Sequence, residues 1–315
     1  MIPSSVLGIT GGPPRYGGEP PLAPEGIWAP LPVLRMPLAG LDLEVGFVDS
    51  GGQGPPLVLI HGLSSYISYW EPQIAHYTAL GWRVLALDLP GFGSSDRPDA
   101  PYTPRWYADV VARWMDAVGA PRAVVMGHSM GGQIALTLAL QAPERVGALV
   151  LAAPAGLETF SPEAAAWMRS YWTPDRAATA NEAEVRANFT QLAFNRVDAG
   201  VERLLCERVR LQKHPSFKAT SRAVSRAIAG MLDQPVYARL GEIRAPTLVI
   251  FGDQDRMIPN PVFNPGPTAG VAERGRAIPG ARIVLLPRAG HMVQHDDPDG
   301  THRATDPFLA RSRRA

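Results

Sequence analysis

The chain has 315 residues, 46% of them hydrophobic and 19% charged, with a formal net charge of +1 at pH 7. This is a globular composition with room for one large α/β domain carrying an insertion, or for two small domains, and so balanced a charge argues against nucleic acid as a partner. The single cysteine, Cys206, excludes an internal disulfide, and no apolar run approaches the ~18 residues of a membrane span, so a soluble, cytoplasmic protein is the default expectation.

In chain order, residues 1–32 are rich in glycine and proline and lack either periodicity. They read as an arm, either disordered or laid extended over the domain. Two antiparallel strands are expected over 33–37 and 41–48. The next strand, Pro56-Leu57-Val58-Leu59-Ile60, is apolar throughout, which suits a central parallel strand covered on both faces. It runs into His61-Gly62-Leu63-Ser64-Ser65, with aromatic residues following up to Trp70. A strand over 82–87 leads into Asp88-Leu89-Pro90-Gly91-Phe92-Gly93-Ser94-Ser95, and a helix over 104–118 precedes a strand over 122–126.

That strand delivers Gly127-His128-Ser129-Met130-Gly131, which fits the G-x-S-x-G nucleophile elbow. In such a turn the serine hydroxyl is lifted clear of the sheet edge, and the glycines are needed where strand and helix pass closely. A serine at a helix start also has free N–H groups aimed at any negative charge developing beside it.

After a strand over 146–151 the pattern changes. Residues 155–239 show helical periodicity with plausible N-caps at Ser161 and Asn181, and read as an inserted helical cap. Its aromatic residues Phe160, Trp167, Tyr171 and Trp172 either line a substrate pocket or fasten the cap to the core. Core patterning resumes with a strand over 246–251 that ends in Gly252-Asp253-Gln254-Asp255. A Pro-rich stretch over 260–267 follows, either edging the pocket or lying on the surface, and a strand over 282–286 ends near Gly290-His291. The expected division is an arm (1–32), a core in two parts (33–154 and 240–315) and a cap (155–239).

The order Ser, Asp, His in these contexts resembles the α/β-hydrolase family over roughly residues 40 to 310, in the manner of capped serine esterases and lipases and of the related carbon-carbon bond hydrolases. The resemblance implies an α/β fold with a mostly parallel sheet flanked by helices. It also implies a triad of Ser129 as nucleophile, His291 as base and Asp255 as its orienting acid, with Asp253 and His295 as the rivals outside the motif. The oxyanion donors would be the backbone N–H groups of Leu63 and Met130, and the turn from Asp88 to Ser95 would brace the floor of the site.

The reaction so implied is hydrolysis of a small-molecule carboxylic ester through an acyl-enzyme. Carbon-carbon hydrolysis of β-diketone-like ring-cleavage products, lactone hydrolysis and perhydrolysis use the same triad, and a ligand-binding module on this scaffold is a reading of another class. No metal or organic cofactor is expected, since the histidines lack ligand spacing and no G-x-G-x-x-G follows a strand. Composition sets no oligomeric state.

Overall fold

The computed structural model describes residues 15–312. Eight strands form one sheet: β1 (Leu34–Pro37), β2 (Glu44–Asp49), β3 (Pro56–Ile60), β4 (Arg83–Leu87), β5 (Ala123–His128), β6 (Val146–Ala152), β7 (Thr247–Gly252) and β8 (Arg282–Leu286). Their order is β1-β2-β4-β3-β5-β6-β7-β8. The pairs β1·β2 and β2·β4 are antiparallel and all others parallel. The chain thus has the α/β-hydrolase fold expected from its motifs.

The apolar run of β3 is explained by its place between β4 and β5. Val58 and Ile60 belong to the core on one face of the sheet and Leu57 and Leu59 to the core on the other, as the two-residue period of a strand requires. All four are buried completely, each such side chain contributing about 1.5–3 kcal/mol. Helices α1 (Glu71–Ala79), α2 (Pro104–Ala117) and α3 (Met130–Gln141) follow β3, β4 and β5 in turn. Trp114 of α2 fills the first core, and Tyr77 of α1 and Phe308 of the last helix fill the second.

Between β6 and β7 the described residues form only helices: α4 (Pro162–Tyr171), α5 (Pro174–Ala178), α6 (Glu182–Ala187) with a further π-helical turn to Ala193, α7 (Ala199–Gln212) and α8 (Phe217–Asp233). Four of these starts are fixed by side chains accepting backbone N–H bonds, from Ser161, Thr173, Asn181 and Asp198. Asn181 forms a capping box with Glu184, three residues on, rather than with the adjacent Glu182. Cys206 is half-buried on α7. After β7 come α9 (Thr268–Glu273), α10 (Val293–Asp296) and α11 (Pro298–Ser312).

The first 14 residues of the expected arm lie outside the described residues, and the remainder, with one 3-10 turn over Pro24–Gly26, packs first on the cap and then on the core. Lys213 Nζ donates to the carbonyls of Tyr16, Gly17 and Glu19 at 2.9, 2.9 and 2.6 Å. Leu22 N–H bonds to Arg210 O, Trp28 N–H to Glu207, and the Arg203 guanidinium lies 3.8 Å from the Trp28 ring centroid. Among the described residues no helix is long and apolar enough to cross a membrane.

Candidate active site

Parallel strands that all end on one edge of a sheet bring their following loops together. Here those loops carry His61, Asp88, Ser129, Asp255 and His291, after β3, β4, β5, β7 and β8 respectively.

Ser129 joins β5 to α3 with φ +52° and ψ −118°, a left-handed conformation costly for a residue with a side chain. Its surroundings impose it. Ser129 N–H bonds to Ala152 O at 3.1 Å, and its carbonyl accepts from Gly132 and Ala155, both at 2.9 Å, tying the turn to the end of β6. A Cβ at Gly131 would stand 2.1 Å from Ile60 O and one at Gly127 2.3 Å from Gly131 O, so both glycines are steric requirements.

His291 Nδ1 is 2.9 Å from Asp255 Oδ2, with both side chains sealed from solvent. The other carboxylate oxygen accepts Met257 N–H at 2.8 Å and Ile258 N–H at 2.9 Å. Asp255 is thereby held rigidly, and a carboxylate at Nδ1 leaves His291 Nε2 as the free nitrogen. The rivals serve elsewhere. Asp253 accepts Arg288 N–H at 2.6 Å, and His295 Nε2 donates to Tyr69 O at 2.8 Å.

Two neighbouring histidines position these groups. His128, the first variable residue of the elbow, donates from Nε2 to His291 O at 3.0 Å and packs its ring 4.9 Å from that of His291. Burial, and next the charge of His291, hold its pKa well below the ordinary value, so it is a neutral support. The spacing of G-x-S-x-G exposes this position to inspection, yet the motif directs attention to the serine. His61 accepts Leu89 N–H at Nε2 (2.9 Å) and lies 2.7 Å from Gly62 O through Nδ1, so Nδ1 carries the proton. Burial pushes its pKa down to about 4. Asp88 accepts Ile67 N–H, Ser94 N–H and the Ser94 hydroxyl at 2.7, 2.7 and 2.8 Å, fastening the turn after β4 to the loop after β3.

That loop carries Leu63. Neither Leu63 N–H nor Met130 N–H has an acceptor among the described residues. Leu63, Ser129 and His291 line both lobes of a cavity beneath the cap. The first lobe is walled by Tyr69, Trp172, Phe189 and Met292, with the polar residues Arg176, Glu184, Asn188 and Arg208. The second is lined by Phe160, Met168, Met231, Leu232 and Ile258, with the polar residues Gln133, Glu158, Thr159 and Asn260. Glu158 is at its rim, taking Asn260 N–H and Asn264 Nδ2–H and so pinning the Pro-rich stretch against the pocket.

Of the aromatic residues expected at the pocket, Trp172 and Phe160 reach it. Trp167 and Tyr171 do not: they stack on each other at 5.0 Å, and Trp167 packs edge-on to Phe263 of the Pro-rich stretch while remaining 38% exposed. They lie on the outward part of α4, a face that periodicity alone does not assign. Arg208 and its polar neighbours went unnoticed because no motif marks them.

A strained serine on a strand-to-helix elbow, sharing a cavity with a buried Asp-His pair at the carboxyl edge of a mostly parallel sheet, defines the class of α/β hydrolases. The family model for the alpha/beta hydrolase fold matches residues 55–298, and the chain belongs to that family. It is 30% identical over 261 residues to the dihydrolipoyllysine-residue acetyltransferase component of the acetoin cleaving system of Cupriavidus necator, covering 80% of this chain and 63% of that relative's length. It is 29% identical over 273 residues to 2-hydroxy-6-oxo-6-phenylhexa-2,4-dienoate hydrolase of Burkholderia cepacia, covering 84% and 90%. Among solved structures, a probable hydrolytic enzyme from Pseudomonas aeruginosa PAO1 superposes with a TM-score of 0.80 at 24% identity, covering 93% of this chain and 98% of that one.

Proposed function

We propose that the chain is a serine hydrolase cleaving carboxylic esters of short to medium acyl chains through an acyl-enzyme. Ser129 attacks the ester carbonyl carbon, its proton passes to His291 Nε2, and the N–H groups of Leu63 and Met130 bind the oxyanion. The ester C–O bond then breaks, His291 protonates the departing alkoxide, and water releases the acid by the same steps. Asp255 holds the tautomer of His291 and faces the imidazolium formed in each half-reaction. The observation that carries this reading is the buried 2.9 Å Asp255–His291 bond opening on the same cavity as a serine at positive φ. The apolar side chains of the second lobe, Phe160, Met168, Met231 and Leu232, suit an acyl chain of modest length.

The test is hydrolysis of p-nitrophenyl esters from acetate to palmitate by the unmodified protein and by Ser129→Ala. Short and medium esters are expected to turn over, with kcat lower by roughly 10⁴-fold or more in the variant. A variant within tenfold of the unmodified protein removes Ser129 from the reaction. A second reading, carbon-carbon bond hydrolysis of a ring-cleavage product, is favoured by the name of the Burkholderia cepacia relative. It gains the preference if every ester is left intact while a 2-hydroxy-6-oxohexa-2,4-dienoate is consumed in a Ser129-dependent way.

A further inference from the structure

The turn that presents Leu63 N–H is held from outside. Ser64 within it has φ +59°, a left-handed conformation that a residue with a side chain adopts only where its surroundings impose it. Ser65 N–H closes the turn on Gly62 O at 3.2 Å, and His61 ties its near end to Leu89 N–H. Its far end is tied to the cap and the arm. The Tyr66 hydroxyl donates to Glu207 Oε2 on α7 at 2.8 Å, and Glu207 Oε1 takes Trp28 N–H at 3.1 Å. The Trp28 carbonyl accepts the Ser68 hydroxyl, and its ring lies against the guanidinium of Arg203, which pairs with Glu71 at the start of α1. Loop, cap helix and arm thus meet at one carboxylate.

Glu207 is 6% exposed and Tyr66 3%. Among the described residues Glu207 has no ion pair, and burial raises its pKa. Joining cap to core needs only apolar contact, and a buried carboxylate is a costly substitute for it. What the carboxylate adds is direction. With one oxygen on the arm and the other on Tyr66, it fixes the hydroxyl, and so the exit of the turn, at one point. Neither Glu207 nor Tyr66 lines either lobe of the cavity, whereas Leu63, Ser64 and Ser65 line the first. An effect of Glu207 on the reaction therefore passes through the turn.

We infer that Glu207 is a positioning residue for the oxyanion site, holding Leu63 N–H on target by fastening its turn to the cap and the arm. The inference rests on the serine-hydrolase reading of the cavity. Its consequence is that the donor is set only while α7 and Trp28 are seated, so the contact that closes the cap also completes the site.

The first part of the test does not depend on turnover. Amide exchange of residues 63–67 is compared in the unmodified protein, Glu207→Leu and Glu207→Gln. The leucine variant loses both links, whereas in the glutamine variant the amide oxygen still accepts Trp28 N–H and the amide N–H₂ donates to the Tyr66 oxygen. Exchange is expected to quicken tenfold or more in the leucine variant and much less in the glutamine variant. Equal exchange in all three overturns the inference and leaves the hydrolase reading untouched.

The second part uses p-nitrophenyl hexanoate and a trifluoromethyl ketone of matching chain length, whose adduct with Ser129 places an oxyanion at the two N–H groups. In Glu207→Leu and Tyr66→Phe, kcat is expected to fall at least tenfold with KM within threefold. Ketone affinity falls in parallel, since a displaced donor is missed only where negative charge has formed. Glu207→Gln is expected to recover most of both. A residue serving the fold alone would lower Tm in the leucine variant and leave kcat and ketone affinity where they were, which overturns the inference. A glutamine variant as slow as the leucine one overturns it too, and Tyr66→Phe carries the test if Glu207→Leu fails to fold. Absence of turnover by the unmodified protein counts against the hydrolase reading, with the exchange comparison still deciding whether Glu207 holds the turn.

Discussion

An asparagine at position 255 would keep the oxygen that accepts Met257 and Ile258 N–H, but would turn an amide N–H₂ toward His291 Nδ1. His291 must then accept at Nδ1 and carry its proton on Nε2, where it can no longer take one from Ser129. Asp255→Asn is therefore expected to lower kcat by about 10⁴-fold while moving Tm by only a few degrees, read from ester kinetics beside a thermal melt. A fall of less than tenfold would show that Asp255 does not set the tautomer. At this scale the sequence was legible wherever chemistry sits at a strand end in a fixed motif. Asp255 was separable from Asp253, and His291 from His295, because the family resemblance places the acid and the base at fixed motif positions that the rivals do not occupy. Whether Trp167 and Tyr171 line the pocket or fasten the cap stayed open for the opposite reason: a helix presents every face in turn, and nothing local says which face another element will cover. Arg208 was invisible because facing a cavity is a property of three dimensions alone.

Among the elements, the strands were readable to within a few residues because apolar runs flanked by glycine and proline leave few alternatives, while four helices outside the cap escaped notice. α11 contains Gly300 and Pro307, and α1, α9 and α10 are only nine, six and four residues long. The arm's sequence left disorder and an extended path equally open because its order comes from outside itself. Tyr16, Leu22 and Ile27 pack on the cap cluster, whereas Ala29 and Leu31 pack on the core under the sheet, so residues 16–31 bridge cap and core. Lys213 is the fastening. Its ammonium replaces water for three carbonyls that no neighbouring strand satisfies, and bonds to a charged group contribute about 1.5–3 kcal/mol each at most. Lys213→Met should thus destabilise the protein by about 1–3 kcal/mol in urea melts, with faster amide exchange confined to residues 16–31 and to α7. Unchanged exchange along the arm would show that its apolar contacts suffice.

For the whole molecule, the histidines at the core set the response to acid. His61 is held neutral with a pKa of about 4, His128 well below its ordinary value, and His295 below it as well, burial being the first cause in each case. The unfolded chain takes up protons at these sites near ~6.5, so between that pH and about 4 it binds more protons than the folded chain, and stability rises with pH. The stability each contributes is complete above the unfolded value and is lost as pH falls through this window. For His61 the full displacement corresponds to about 3 kcal/mol. Asp88 and Glu158 act in the opposite sense, since burial raises their pKa values and the folded form holds their protons more tightly. They offset part of the loss at the lower end. Protonated His61 would have a proton on Nε2 facing Leu89 N–H, breaking the bond that holds the loop of Leu63 to the turn after β4. Acid unfolding and release of the Leu63 loop are thus coupled through one imidazole. Urea midpoints measured at pH 7.5, 6.0 and 5.0 should fall steadily, while the protein still folded at pH 5 keeps His61 mostly neutral and its bond to Leu89 N–H in place. A midpoint constant across that range would mean that the buried histidines take up protons without disturbing the loop, and the acid response would have to be sought in the carboxylates.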